Sequence, residues 1–210
     1  MCSNYQPISK SRSGWVLEHF KIELPGEDYK SHIFHGGFGP FLFNLENNLH
    51  CEIGQFGLEP RWAEFIKDFH KFSYNSTEEH ITERKTFKQA WKERRFCIIL
   101  ADTFLEPRYE HEGAKPVWTK IKRADGQPVA IAGIWERYAQ KRDGQIKNSF
   151  SMVTQNCDSH PFLNLFHKPG KEKRTIVVLE NHEMHDWLTA SHERARELIK
   201  LTDVGLLVAD

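Results

Sequence analysis

The chain has 210 residues, 39% hydrophobic and 28% charged, and its 29 lysines and arginines balance 29 aspartates and glutamates. That length supports one substantial core, so a single domain over residues 1–210 is expected; the zero net charge counts against broad nucleic-acid binding but leaves room for a local basic groove. No apolar run approaches the roughly 20 residues of a membrane span, the amino-terminal stretch lacks the basic and apolar regions of a signal peptide, and Cys2, Cys51, Cys97 and Cys157 stand far apart without disulfide or zinc spacing. A cytoplasmic protein with no membrane contact is expected.

In chain order, Phe20, Ile22 and Leu24 alternate with Lys21 and Glu23 before Pro25-Gly26, which predicts a strand within Gly14 to Leu24. His35-Gly36-Gly37-Phe38-Gly39-Pro40 lacks both the Walker lysine and the dinucleotide spacing, so it reads as a tight loop. His50 to Phe56 reads as a short strand. After Glu59-Pro60-Arg61, the residues Trp62, Phe65, Ile66 and Phe69 recur at helical spacing, a pattern usually turned to a core. Thr86 to Arg95 predicts a helix with Phe87, Ala90 and Trp91 on one face and Arg94 and Arg95 in its last turn. The unbroken apolar run Phe96 to Ala101 predicts a central strand buried on both faces, delivering Glu106 beyond its end.

Val117 to Lys122 and Val129 to Trp135 flank Asp125-Gly126, a strong turn signal that predicts a hairpin. Phe150 to Thr154 and Thr175 to Leu179 read as strands separated by a long loop that holds His160, His167 and Lys168-Pro169-Gly170. Asn181 is expected to cap a helix towards Trp187, and Ser191 a second helix towards Leu201. Many short strands with a few helices predict an α+β class.

Three stretches invite chemistry. Twelve histidines suggest a metal, but in His182-Glu183-Met184-His185 the histidines are three apart, not four, so no metal and no cofactor is expected. Cys97 sits in an apolar strand, where a thiol is usually a small buried hydrophobe. Met1-Cys2 is different: removal of Met1 would leave a cysteine with a free α-amine, whose pKa of about 7.7–8.0 lies well below the about 10.4 of a lysine, beside a thiol near about 8.5. Such a pair can attack an aldehyde through nitrogen and close a five-membered thiazolidine through sulfur. Against this, a cysteine at position 2 is more often simply part of a frayed end.

Met1-Cys2, Gly57 to Ala63, Asn75-Ser76-Thr77-Glu78-Glu79, Arg94 to Glu106, Arg123 to Glu136 and Thr154 to His167 occur in an order that resembles the SOS-response-associated peptidase (SRAP) family of abasic-site processing proteins. The resemblance implies a mainly antiparallel β fold with a partly closed, barrel-like core surrounded by a few helices. It also implies a monomer that captures the ring-opened aldehyde of abasic sites in single-stranded DNA. Residue by residue, Cys2 would supply amine and thiol, Asn75 would position the sugar or the N-terminus, Glu106 would handle protons, and His167, with His160 as the alternative, would assist ring opening and loss of water. Arg61, Trp62, Arg94, Arg95 and Arg174, with Lys168, Lys171 and Lys173, are candidates for a basic DNA groove. The chain departs from the family at Ser3, Asn4, Thr77 and Pro107, where glycine, arginine, arginine and tryptophan are common, and its loop after His167 is longer. Two other readings stand beside capture: a thiol-dependent peptidase acting on its own N-terminal residue, and a noncatalytic DNA- or protein-binding domain.

Overall fold

The structure, a computed structural model, describes residues 2–210. In chain order its strands are β1 Asn4–Pro7, β2 Ile33–Phe34, β3 Phe38–Leu45, β4 Asn48–Phe56, β5 Asn75–Thr77, β6 Phe96–Arg108, β7 Val117–Arg123, β8 Val129–Ala139, β9 Ile146–Asn156, β10 Arg174–Ile176, β11 Val178–Leu179 and β12 Leu207–Ala209. The helices are α1 Ser13–Phe20, α2 Lys88–Lys92, α3 Met184–Thr189 and α4 His192–Leu198. The sheet follows β8–β9–β4–β3–β6, and β6 pairs again with β8, which closes a five-stranded barrel. All neighbours in the ring are antiparallel except β4 and β9.

Alternation along the barrel strands builds two cores from one wall. On β6, Cys97, Ile99 and Ala101 face the interior with Ile131 of β8, Phe150 and Met152 of β9, and Phe41 and Phe43 of β3. Phe96, Ile98 and Leu100 face outward and are covered by Val16 and Phe20 of α1, Trp91 of α2 and Trp187 of α3. The apolar run is therefore buried on both faces, as its composition predicts. Trp187 also donates from Nε1 to the Cys97 carbonyl at 2.9 Å, so its one polar atom is satisfied where it enters the core.

Several local expectations are corrected. Ser13–Phe20 is helical, because Val16 and Phe20, four residues apart, are the pair that is buried; the alternation seen at Phe20, Ile22 and Leu24 is too short to specify a strand. The glycine-rich segment holds its expected tight turn at His35-Gly36, with Gly36 at φ 86° and the Gly37 amide donating to the Phe34 carbonyl at 2.8 Å, but from Phe38 it continues as β3; a second turn at Glu46-Asn47, with φ values of 51° and 64°, forms the two-residue connection to β4. The Asp125-Gly126 turn exists, with Gly126 at φ 73°, but β7 and β8 do not pair with each other. Both run antiparallel to β6, β8 along Phe96–Ala101 and β7 along Phe104–Arg108, so the turn joins two collinear strands. The predicted helix over 86–95 is only α2, and Arg94 leaves it with φ 53°. Ser191 caps α4 by accepting from the Arg194 amide at 3.2 Å, whereas the turn before α3 is capped by Glu180 and Glu183 and not by Asn181.

Trp62, Phe65 and Ile66 are exposed: the segment forms a short 3-10 turn and loop in place of an amphipathic helix, so its apolar side chains have no shared face to bury. Among the described residues, no helix is long and apolar enough to cross a membrane.

Candidate active site

Glu106 reaches the barrel interior through one irregularity. With Cys97, Ile99 and Ala101 facing inward, strict alternation would put Leu105 inside and Glu106 outside. Opposite β1, however, Gln6 pairs with Thr103 and Pro7 with Ala101, leaving Asp102 as an extra residue on β6. The bulge inverts the alternation, so Phe104 joins the interior cluster and Glu106, two residues later, follows the same face. The bulged Asp102 is itself held by the Ser9 amide at 3.2 Å and by Arg12 Nε at 3.2 Å.

Around Glu106 the chain brings together the four residues expected to act jointly. Cys2 is fully buried and its thiol donates to the Asn4 carbonyl at 3.3 Å. Asn75 opens β5, which pairs parallel to β9, and its Nδ2 donates to the Cys2 carbonyl at 2.9 Å. His167 Nε2 lies 3.2 Å from Glu106 Oε2. Both Glu106 oxygens and Asn75 Oδ1 are buried without a hydrogen-bond donor among the described residues; the His167 approach is close but lacks hydrogen-bond geometry. Three buried polar atoms thus converge beside Cys2 with no hydrogen-bond partner among the described residues, a costly arrangement unless something else pairs with them. The expected loss of Met1 falls on a residue outside those described.

The electrostatics separate the two titrating groups. Burial raises the Glu106 carboxyl to about 7, and burial lowers the His167 imidazole to about 4. Between those values Glu106 holds its proton and His167 is neutral, so the pair is an acid beside a neutral base and not an ion pair. Burial, followed by the nearby Glu106, holds the Cys2 thiol above its ordinary range. The thiol therefore stays protonated in the resting site.

His160 is elsewhere and fully occupied. Its Nδ1 accepts from the Phe162 and Leu163 amides at 3.2 and 3.1 Å, which leaves Nε2 to donate to the Thr202 carbonyl at 3.1 Å. That bonding fixes the ring in place and serves the turn after β9.

The five DNA-contact candidates do not form one groove. Arg61 and Trp62 are exposed on the loop that leads into Asn75, with Lys85 Nζ 4.3 Å from the Trp62 ring centre. Arg94 and Arg95 lie at the opposite end of β6, roughly 30 Å from Glu106 by strand rise. Arg95 is paired with Glu93 and Glu136. Arg174 is engaged by Glu79 at 2.8 and 2.9 Å, by Glu172 at 2.7 Å and by the Thr154 carbonyl at 3.1 Å. Sequence reasoning passed over Tyr74, whose ring stacks on His35 at 4.9 Å and whose phenol is raised by burial, then by Cys2 and Glu106. An aromatic beside a polar residue carries no sequence signal that separates this position from ordinary core.

Among the described residues no group of three or more His, Cys, Asp or Glu is arranged to hold a metal ion. His185 instead shares a hydrogen bond with the His19 carbonyl at 2.8 Å, and Glu183 takes Lys200 at 2.7 Å.

Comparison with known proteins adds three findings. A family model described as SOS response associated peptidase (SRAP) matches residues 13–205, a span that contains Asn75, Glu106 and His167. A crystal structure of a protein from Bordetella bronchiseptica is 31% identical, with 99% of this chain and 98% of that chain covered at a TM-score of 0.85. A second, from Bacteroides thetaiotaomicron, is 21% identical, covers 99% and 90% with a TM-score of 0.81, and speaks to the fold alone. No curated protein matches the sequence.

Proposed function

The chain belongs to the SOS response associated peptidase family, and from that premise we propose that it captures the ring-opened aldehyde of abasic sites in single-stranded DNA as a covalent thiazolidine at Cys2. One observation carries the reading: residues 2, 75, 106 and 167 meet at one end of the barrel, with a protonated carboxyl and a neutral imidazole 3.2 Å apart beside the cysteine.

Each residue has a step suited to its state. Once Met1 is removed, the Cys2 nitrogen adds to the aldehyde carbon and gives a carbinolamine. Glu106 protonates the departing hydroxyl, water leaves, and the imine forms; His167, neutral at physiological pH, accepts a proton during sugar ring opening. The thiol, held protonated, waits for the imine, then adds to its carbon while its proton passes to the imine nitrogen, by way of the Glu106–His167 pair. The balance is aldehyde plus aminothiol giving thiazolidine plus one water. Asn75 fixes Cys2 through its carbonyl, leaving Oδ1 to accept from the amine. A thiol raised in this way is a poor resting nucleophile, which favours nitrogen-first capture over a thiol peptidase.

The direct test is incubation with a single-stranded oligonucleotide carrying one abasic site, with a shifted band on a denaturing gel as the expected result and an unshifted one overturning the proposal. Two further outcomes follow. Intact mass of natively expressed protein should be lower than the full sequence by one methionine; quantitative retention of Met1 would remove the free amine and with it this mechanism. His167→Ala should slow capture about 10²- to 10⁴-fold with little change in the urea midpoint. His160→Ala should do the reverse, costing about 1–3 kcal/mol because a buried and a partly buried amide lose their acceptor, while the folded protein still captures. If His160→Ala abolishes capture in folded protein and His167→Ala is silent, the roles are reversed.

A further inference from the structure

His167 is held by its backbone in a conformation that L-residues avoid. Its φ is 64°, in the left-handed region where a β-carbon crowds the following carbonyl. Its amide donates to the Pro107 carbonyl at 2.6 Å and the preceding Phe166 bridges to Arg108, which ties this point of the loop to the end of β6 just beyond Glu106. On the other side the chain leaves through Lys168-Pro169-Gly170-Lys171-Glu172, a mostly exposed stretch in which Pro169 alone is partly buried.

The anchor is Lys173. Its Nζ donates to the His167 carbonyl at 2.7 Å and to the Lys168 carbonyl at 3.0 Å, so one ammonium closes the five-residue excursion onto the residue where it began. Lys173 is itself fixed from both backbone groups: its amide donates to Asp158 Oδ1 at 2.9 Å and its carbonyl accepts from the Cys157 amide at 2.8 Å. The clamp therefore refers His167 to the end of β9, and the Pro107 contact refers it to β6. The next residue, Arg174, places its backbone against the His167 ring, so the imidazole lies between that backbone and Glu106.

We infer that Lys173 is the positioning residue for His167, its ammonium pinning the carbonyls of residues 167 and 168 so that the strained turn holds the imidazole against Glu106. This rests on the reading that His167 and Glu106 act together in capture. The same ammonium, secondary to burial, also opposes protonation of the ring. Two of the three N–H groups of the Lys173 ammonium are thereby committed within the protein.

Lys173→Met and Lys173→Arg test this with two independent readouts. The first is the single-turnover rate of capture of an abasic single-stranded oligonucleotide by excess protein. Lys173→Met should lower the saturating rate about tenfold or more while the half-saturating protein concentration stays put, as misplacement of a reacting group does and loss of a DNA contact does not. Lys173→Arg, which keeps a cationic donor, should recover most of the rate. In a His167→Ala background Lys173→Met should add no further slowing. The second readout uses DNA-free protein with ¹⁵N-labelled histidine: the His167 ring should titrate at a higher pH in Lys173→Met than its wild-type value of about 4, and near the wild-type value in Lys173→Arg. Unchanged ring signals in Lys173→Met, or equal slowing by Lys173→Met with and without His167, overturns the inference. Should His167→Ala capture at the wild-type rate, the role of His167 in the reaction fails, and the ring titration alone decides whether Lys173 positions it.

Discussion

Cys2→Ala protein is expected to lose the heat-stable adduct that forms on abasic single-stranded DNA without reductant, and to yield an adduct mainly when borohydride is present. The substitution separates two functions of one residue. Alanine at position 2 still permits removal of Met1 and keeps the α-amine, so the imine forms. It has no sulfur to add to the imine carbon. An open imine hydrolyses or proceeds by β-elimination to strand cleavage, so nicked DNA should accumulate where the wild-type protein leaves the strand intact. Denaturing gels with and without borohydride distinguish the products. Blocking the amine by retaining Met1 should abolish both, because nitrogen acts first. A reductant-free, heat-stable adduct from Cys2→Ala would falsify the thiazolidine mechanism.

Glu106→Gln should slow capture about 10²- to 10⁴-fold, the range typical of a lost acid–base group, and should stabilise the fold at alkaline pH. The stability effect follows from the raised carboxyl. With a folded pKa of about 7 against an ordinary 4.5, the wild-type contribution is fully present below 4.5 and is lost as pH rises through 7. Relative to wild type the glutamine variant, which has no proton to lose, should therefore gain on the order of 3 kcal/mol between about pH 4.5 and pH 8, at about 1.4 kcal/mol per unit. His167 has the opposite sign: its folded value of about 4 lies below 6.5, so its contribution is present above 6.5 and lost as pH falls towards 4. In wild type the two slopes oppose each other over the shared window, and Glu106→Gln should unmask the histidine slope as stability that rises with pH. Urea midpoints at matched pH values measure both effects. A pH-independent difference between variant and wild type would show that Glu106 is ionised in the resting site.

The sequence by itself determined the elements whose signal is local. The run Phe96–Ala101 reads as a doubly buried strand because no polar residue interrupts it, and it is one. The turn at Asp125-Gly126 and the Ser191 cap follow from residue types that favour those backbone geometries. The resemblance to a family of known order singled out Cys2, Asn75, Glu106 and His167, which no periodicity would have grouped.

What only the tertiary structure decided has a common cause: it depends on partners distant in the chain. Period two reports which face a side chain takes only while the register is unbroken, and the Asp102 bulge that turns Glu106 inward is written in the pairing with β1 and the contacts of Ser9 and Arg12, some 90 residues away. Whether β7 and β8 form a hairpin or lie end to end is decided by β6, long enough at 13 residues to accept both. His160 and His167 share a loop and a residue type, yet one is consumed by backbone groups and the other is carried against Glu106 by a left-handed turn and the ammonium of Lys173. Local composition cannot separate them, because the free energy that distinguishes them lies in contacts with Thr202, Pro107 and Glu106, brought together only when the barrel closes.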